Sequence, residues 1–404
     1  MMRLEIAFHT ATSALGPGLD ALRQAIGNRA TGLRPNDLEN CDLDTWIGRV
    51  PGIEDTILPD ALHRLDSRNN RLAWLGLQQD DFIEKLKSVR DKFGADRVGV
   101  IIGTSTSSIE NTERAYRSLS PDGAFPSDNN EPRVHNMHST GLFLTEATGL
   151  TGPSITISTA CSSSAKVFAT AHRWISQGLI DAALVGGVDS LCQNTLYGFN
   201  SLQLVSEDLC RPFDRRRNGI NLGEAAAYSI VTRADDKPGP GIRLLGFGES
   251  SDAHHMSHPH PEGKGAILAM NDALKSAGLT PADVDYINLH GTGTQANDGI
   301  EAIAVNTVMG RARQSGNAGP VPASSTKGWT GHTLGAAGML ESVVVVESML
   351  TQTIPGTINC EQPDDALTYP IITRNQPGEI RYALSNSFGF GGSNATLAFG
   401  MTHD

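Results

Sequence analysis

The chain has 404 residues, 39% of them hydrophobic and 19% charged, with 43 glycines and a formal net charge of −12. That length suggests two domains or one fold built twice, and the acidic balance gives nucleic-acid binding no electrostatic support. Five cysteines (Cys41, Cys161, Cys192, Cys210, Cys360) are odd in number, scattered and without a CxxC pair, which argues against a disulfide framework or a zinc site and for a reducing, cytoplasmic setting.

The opening stretch, Met1 to His9, carries an acid and a histidine among its apolar residues and reads as a strand rather than a signal peptide. Nowhere do about 18 apolar residues run uninterrupted, so no membrane span is expected. Apolar β-type runs follow at 97–103, 154–160, 182–188, 227–232, 284–290 and 320–326, separated by helix-length stretches. This is an α/β pattern with buried strands. The segment from Arg233 to Gly241 is rich in structure breakers and divides the chain into halves 1–240 and 241–404. In each half a strand ends in glycine and hydroxyls, at Gly103-Thr104-Ser105 and at His290-Gly291-Thr292, and a second strand-to-helix unit follows. Internal duplication and chance similarity of α/β units both remain open at this point.

Cys161 lies where a β-branched run, Ile155-Thr156-Ile157, gives way to the helical pattern that starts at Ser162-Ser163-Ser164-Ala165-Lys166. A thiol in the first turn of a helix meets unpaired N–H groups and the positive end of the macrodipole, which favour thiolate. His290 stands at a strand's carboxyl end before Gly291-Thr292-Gly293-Thr294, where ligands meet open α/β sheets. The third element runs from Lys327 through His332 to Glu341. Lys327 is expected in the loop before His332, and the small residues 335–338 are expected to let a helix pack closely.

Together with Arg211-Pro212-Phe213-Asp214, Gly223-Glu224 and Asn386-Ser387-Phe388-Gly389-Phe390-Gly391-Gly392-Ser393-Asn394, these stretches resemble a β-ketoacyl-acyl carrier protein synthase of the decarboxylating elongation type. The resemblance covers essentially the whole length. It implies a thiolase fold, two similar halves in a five-layered αβαβα body, usually as a homodimer and possibly as a heterodimer with a related subunit. It implies decarboxylative condensation of an acyl group on Cys161 with malonyl on acyl carrier protein, in fatty acid, polyene or polyketide elongation. No resident cofactor or metal is implied, since substrates arrive on the carrier's phosphopantetheine.

The same resemblance assigns the oxyanion hole to the N–H groups of Cys161 and Phe390, the enolate to His290 and His332, and the organisation of the histidine to Lys327 and Glu341. Thr292, Thr294 and, in the pantetheine-facing loop, Ser257 would meet the carrier arm. Phe388 and Phe390 would flank the acyl tunnel, Phe390 as a movable gate, and Thr106 lies near a position influencing chain length. Gly391 and Gly392 permit the unusual dihedrals such a loop needs.

Some features depart from the pattern. Four histidines, His254, His255, His258 and His260, crowd one loop, which reads as solvated rather than metal-binding. Asn297 stands where glycine is more usual. The basic run from Arg211 to Arg217 fits internal pairing and carrier binding alike. No Gly-x-Gly-x-x-Gly setting or Gly-Lys-Ser/Thr loop supports a nucleotide. Two other readings stay in view: a thiolase-type acyltransferase, against which the paired histidines speak, and a non-catalytic chain-length-factor-like subunit, against which Cys161 speaks.

Overall fold

The computed structural model describes residues 2–126, 131–234, 241–313 and 319–402. The proposed boundary at 233–241 falls largely on residues 235–240, outside the described residues. Ten strands carry the architecture: β1 (Leu4–Ser13), β2 (Val98–Gly103), β3 (Ser154–Ile157), β4 (Ala182–Asp189), β5 (Ala225–Arg233), β6 (Gly241–Ser251), β7 (Tyr286–Asn288), β8 (Ala323–Ser324), β9 (Tyr382–Gly389) and β10 (Ser393–Thr402). In the first half the spatial order is β3-β2-β4-β5-β1, and in the second β8-β7-β9-β10-β6. Counted within each half, both are third, second, fourth, fifth, first. Directions repeat as well, two parallel pairings followed by two antiparallel ones. Such agreement in order and direction is the pattern of an internal duplication. The halves join edge to edge where Leu4 of β1 pairs with Leu244 of β6.

The helices repeat the same plan. On the outer face of the first half lie α1 (Arg68–Leu77), α2 (Phe82–Phe93) and α3 (Ser139–Thr148), while α4 (Ser163–Ser176) covers its inner face. In the second half α5 (Lys264–Ala277) and α6 (Gln295–Arg313) lie outside and α7 (Ala337–Thr351) inside. Three apolar clusters fill the four gaps between layers. One, around Leu72, Phe82, Phe143 and Ile102, seats the first outer helices. Another, around Met270, Leu274, Val305 and Ile287, seats the second. The central one joins Val167 and Phe168 of α4 to Val343 and Val345 of α7 and to Val185, Leu397 and Phe399 of the two sheets. Each such side chain contributes about 1.5–3 kcal/mol on leaving water. The thiolase-like αβαβα body follows from these layers.

Leu334–Thr351 is apolar enough by composition to cross a membrane, yet 89% of it is buried, as the middle layer requires. The close packing expected of residues 335–338 is present: a Cβ on Gly338 would stand 2.6 Å from the Ala165 nitrogen. Even alanine there forces α7 off α4. The sequence reading omits β6, β9 and β10. In β6 the glycines that hide the strand pattern are the close-approach points, since a Cβ on Gly248 would lie 1.9 Å from the Ala269 carbonyl of α5. The runs at 284–290 and 320–326 are strand only over Tyr286–Asn288 and Ala323–Ser324, which leaves His290 beyond the ladder at the site.

Candidate active site

Cys161 is placed by a turn, not by the helix. Ala160 adopts a left-handed φ of 54°, a sparsely populated conformation for a residue with a Cβ. Ser162 is the N-cap and α4 begins at Ser163, so Cys161 sits one residue ahead of the cap. This corrects the expectation of a first-turn thiol. The electrostatic expectation is corrected with it: burial pushes the Cys161 thiol up to about 11, against the pull of the Lys327 charge and of the Phe390 and Cys161 N–H groups. Cys161 is 4% exposed.

His332 follows Gly331 and is fixed at both ends, its N–H donating to the Asn221 carbonyl at 2.7 Å and its carbonyl accepting from Gly223 at 3.0 Å. Its Nε2 lies 3.1 Å from Cys161 Sγ, and its Nδ1 accepts the Leu334 N–H at 3.1 Å. His290 leaves the end of β7, with its ring 5.3 Å from that of His332 at 84°. Two backbone N–H groups at this point, of His290 and Gly291, donate to the Glu301 carboxylate at 2.8 and 2.7 Å. Glu301 closes the sequence motif but has no role in the sequence reading; the structure shows that it clamps the histidine's backbone to α6.

Lys327 opens a single helical turn, Lys327–Thr330, rather than lying in a loop. All three of its ammonium protons are committed: to His290 Nδ1 at 3.3 Å, to the His290 carbonyl at 2.5 Å, and to the Glu341 carboxylate. The organised histidine is therefore His290. Burial raises the Glu341 carboxyl, and Lys327 opposes it. Both imidazoles are held well below their usual range, first by burial and then by the Lys327 charge, so they are neutral.

The accepted N–H and ammonium donors fix the tautomers. Each Nδ1 is an acceptor, so each Nε2 carries the proton and faces the site. Although Sγ and ring nitrogens of Cys161, His290 and His332 fall within 4.8 Å of one another, the imidazoles direct N–H groups, not lone pairs, into that space. This is a donor set for a developing oxyanion rather than a metal cage.

The pocket above Cys161 is lined by Thr292, Thr294, Ser257, Phe388 and Phe390, all expected there. The two threonine hydroxyls lie 2.9 Å apart. Gly391 and Gly392, at φ 80° and 74°, shape the turn beside Phe390. The Phe390 ring rests 5.3 Å from Phe199, a contact the sequence reading misses because Phe199 belongs to a separate helix without a motif. Thr106 is absent from the pocket wall. Its hydroxyl and N–H both serve the buried Asp189 carboxylate, at 2.6 and 2.8 Å, which gives it a structural role. Asn297 fits its position, its amide donating to Asp298 and Glu301. The basic run is paired internally: Arg215 with Gln362, Arg216 with Asp214 and Glu361, and Arg217 with Asp364.

Comparison with known proteins points to one family. Residues 72–237 match the family model for the beta-ketoacyl synthase N-terminal domain, and residues 242–361 that for the C-terminal domain. The 3-oxoacyl-[acyl-carrier-protein] synthase 2 of Coxiella burnetii is 36% identical over 77% of each chain. That of Mycobacterium tuberculosis is 30% identical over 96% of this chain and 95% of its own. Among solved structures, the complex of the ketosynthase ApeO with its chain length factor ApeC from Xenorhabdus doucetiae matches with a TM-score of 0.86 and 36% identity, over 99% of this chain and 98% of that one. A beta-ketoacyl synthase from Burkholderia phymatum matches with 0.85 and 27% identity, over the whole of both chains.

Proposed function

The chain belongs to the β-ketoacyl synthase family of condensing acyltransferases in fatty acid or polyketide elongation, and we propose that it joins an acyl group held on Cys161 to malonyl on acyl carrier protein. The observation that carries this reading is a buried thiol facing two neutral imidazoles, each with its N–H turned inward.

The Cys161 sulfur, as thiolate, attacks the acyl thioester and the carrier thiol leaves with a proton. Malonyl then loses CO2. The electron pair of the broken C–C bond becomes an enolate, whose charge on the thioester oxygen is met by His290 and His332 Nε2–H. The enolate carbon attacks the Cys161 thioester, and the N–H groups of Cys161 and Phe390 hold the tetrahedral oxyanion. Its collapse expels the Cys161 thiolate, which takes a proton from solvent, and leaves a β-ketoacyl carrier. Thr292, Thr294 and Ser257 receive the pantetheine arm. Decarboxylation itself supplies the carbanion, so the chemistry calls for no resident cofactor, and five unpaired cysteines support a reducing, cytoplasmic setting.

A second subunit of the same fold completes the assembly, as a copy of this chain. The support is β3, which among the described residues has a sheet partner on one side only and leaves Ile155 39% exposed. ApeO is a solved relative that pairs instead with a chain length factor.

The test supplies acyl carriers of graded chain length together with malonyl carrier. A carrier-bound product two carbons longer and bearing a β-keto group is expected. Acyl exchange without chain growth would favour a non-decarboxylating acyltransferase.

A further inference from the structure

The loop from His254 to His260 joins β6 to α5, and its residues Ser257, His258 and Pro259 form part of the pocket wall. Within it His255 Nδ1 and His258 Nδ1 face each other at 3.1 Å. Ser257 Oγ stands 3.3 Å from the first and 3.1 Å from the second. Metal–nitrogen bonds of about 2.0–2.1 Å at tetrahedral angles place neighbouring ligand atoms about 3.3 Å apart. The observed triangle is close to one face of such a site.

Proton placement also differs from that of the buried pair. His255 Nδ1 accepts the Ser257 N–H at 3.2 Å, so it is the unprotonated nitrogen, and an ion takes its lone pair by displacing that long hydrogen bond. Among the described residues His258 Nδ1 has Ser257 Oγ and His255 Nδ1 as hydrogen-bond partners and no backbone donor that fixes its tautomer. His254, His255 and His258 also border a second, open groove, so an ion can arrive from solvent.

We propose that His255 and His258, with the Ser257 hydroxyl, bind a divalent late-transition ion such as Zn2+, Ni2+ or Cu2+, with solvent completing its coordination. On binding, the His258 Nδ1 proton passes to solvent and Nε2 takes one up, so neutral imidazoles release no net proton. The loop is tied to the gate turn, since Met256 O accepts the Gly391 N–H at 2.8 Å. An occupied site thus takes Ser257 from the pantetheine arm and holds the turn beside Phe390, slowing the carrier-dependent reaction. That consequence rests on the function proposed above; ion binding itself does not.

Titration of the full-length chain with Co2+, read by visible absorption of imidazole-bound cobalt and reversed by Zn2+, tests the site without turnover. His255→Ala and His258→Ala should each weaken binding by more than about tenfold, while Cys161→Ala retains it. An unchanged titration in both histidine variants, or its loss in Cys161→Ala, would overturn the site. With malonyl carrier, Zn2+ should slow the wild-type enzyme and spare His255→Ala, a residue outside the pocket wall; equal slowing of both would overturn the coupling to catalysis.

Discussion

His332 Nε2 lies 3.1 Å from Cys161 Sγ while His332 Nδ1 accepts the Leu334 N–H. A neutral imidazole with an occupied Nδ1 lone pair has a proton, not a lone pair, on Nε2. His332 therefore donates to the sulfur and does not remove its proton. Glutamine can place an amide N–H in the same region. His332→Gln should keep most of the iodoacetamide reactivity of Cys161 at pH 8, whereas His332→Ala should lower it. Equal loss in both variants would mean that His332 acts as a base.

Lys327 and Glu341 form an ion pair with side chains 1% and 3% exposed. Removing one partner of such a pair leaves a buried charge uncompensated and costs about 3–5 kcal/mol. Lys327→Ala should lose that much stability in a denaturant titration. Lys327→Met combined with Glu341→Leu should recover most of it, although catalysis stays impaired because His290 Nδ1 has lost its donor. A single variant as stable as wild type would show the pair to be solvated.

Stability should respond to pH through opposed groups. His290 and His332 remain neutral in the fold, while in the unfolded chain they take up protons below about pH 6.5, so their contribution falls as pH drops through that value. Glu301, raised to about 7 by burial against its backbone donors, acts in reverse. Its contribution is largest below the unfolded value of about 4.3 and is lost as pH rises through 7. Glu301→Gln removes the opposing group, so stability should climb more steeply from pH 5 to 7 than in wild type. An equal or shallower slope contradicts the assignment.

Phe390 packs on Phe199 and is followed by two left-handed glycines. Phe390→Ala keeps the backbone donor and removes the ring, so malonyl decarboxylation without prior acylation should rise relative to condensation. An unaltered ratio, with one Phe390 rotamer in structures with and without an acyl group, would make the ring ordinary packing.

Much of the site was legible because the groups that meet at Cys161 are anchored in short motifs at strand ends. The tautomers were not, since they depend on the Leu334 N–H and the Lys327 ammonium. Glu301 was hidden for a similar reason: its effect on His290 passes through backbone N–H groups. The bonds of Thr106 to Asp189 were hidden too, because a run of hydroxyls near a site does not show which buried carboxylate it satisfies. In the fold, the alternating halves could be read, but β6 could not, because its glycines answer to a neighbouring helix rather than to strand propensity.

Intact-mass measurement of the enzyme with an acyl carrier, followed by release of CO2 from malonyl carrier, tests the division of labour between thiol and imidazoles most directly. Wild type, His290→Ala and His332→Ala should each gain one acyl unit, while the two histidine variants lose decarboxylation by about 10²-fold or more. Cys161→Ala should gain none. An acyl unit on Cys161→Ala at the wild-type level, or undiminished CO2 release from both histidine variants, would contradict the account.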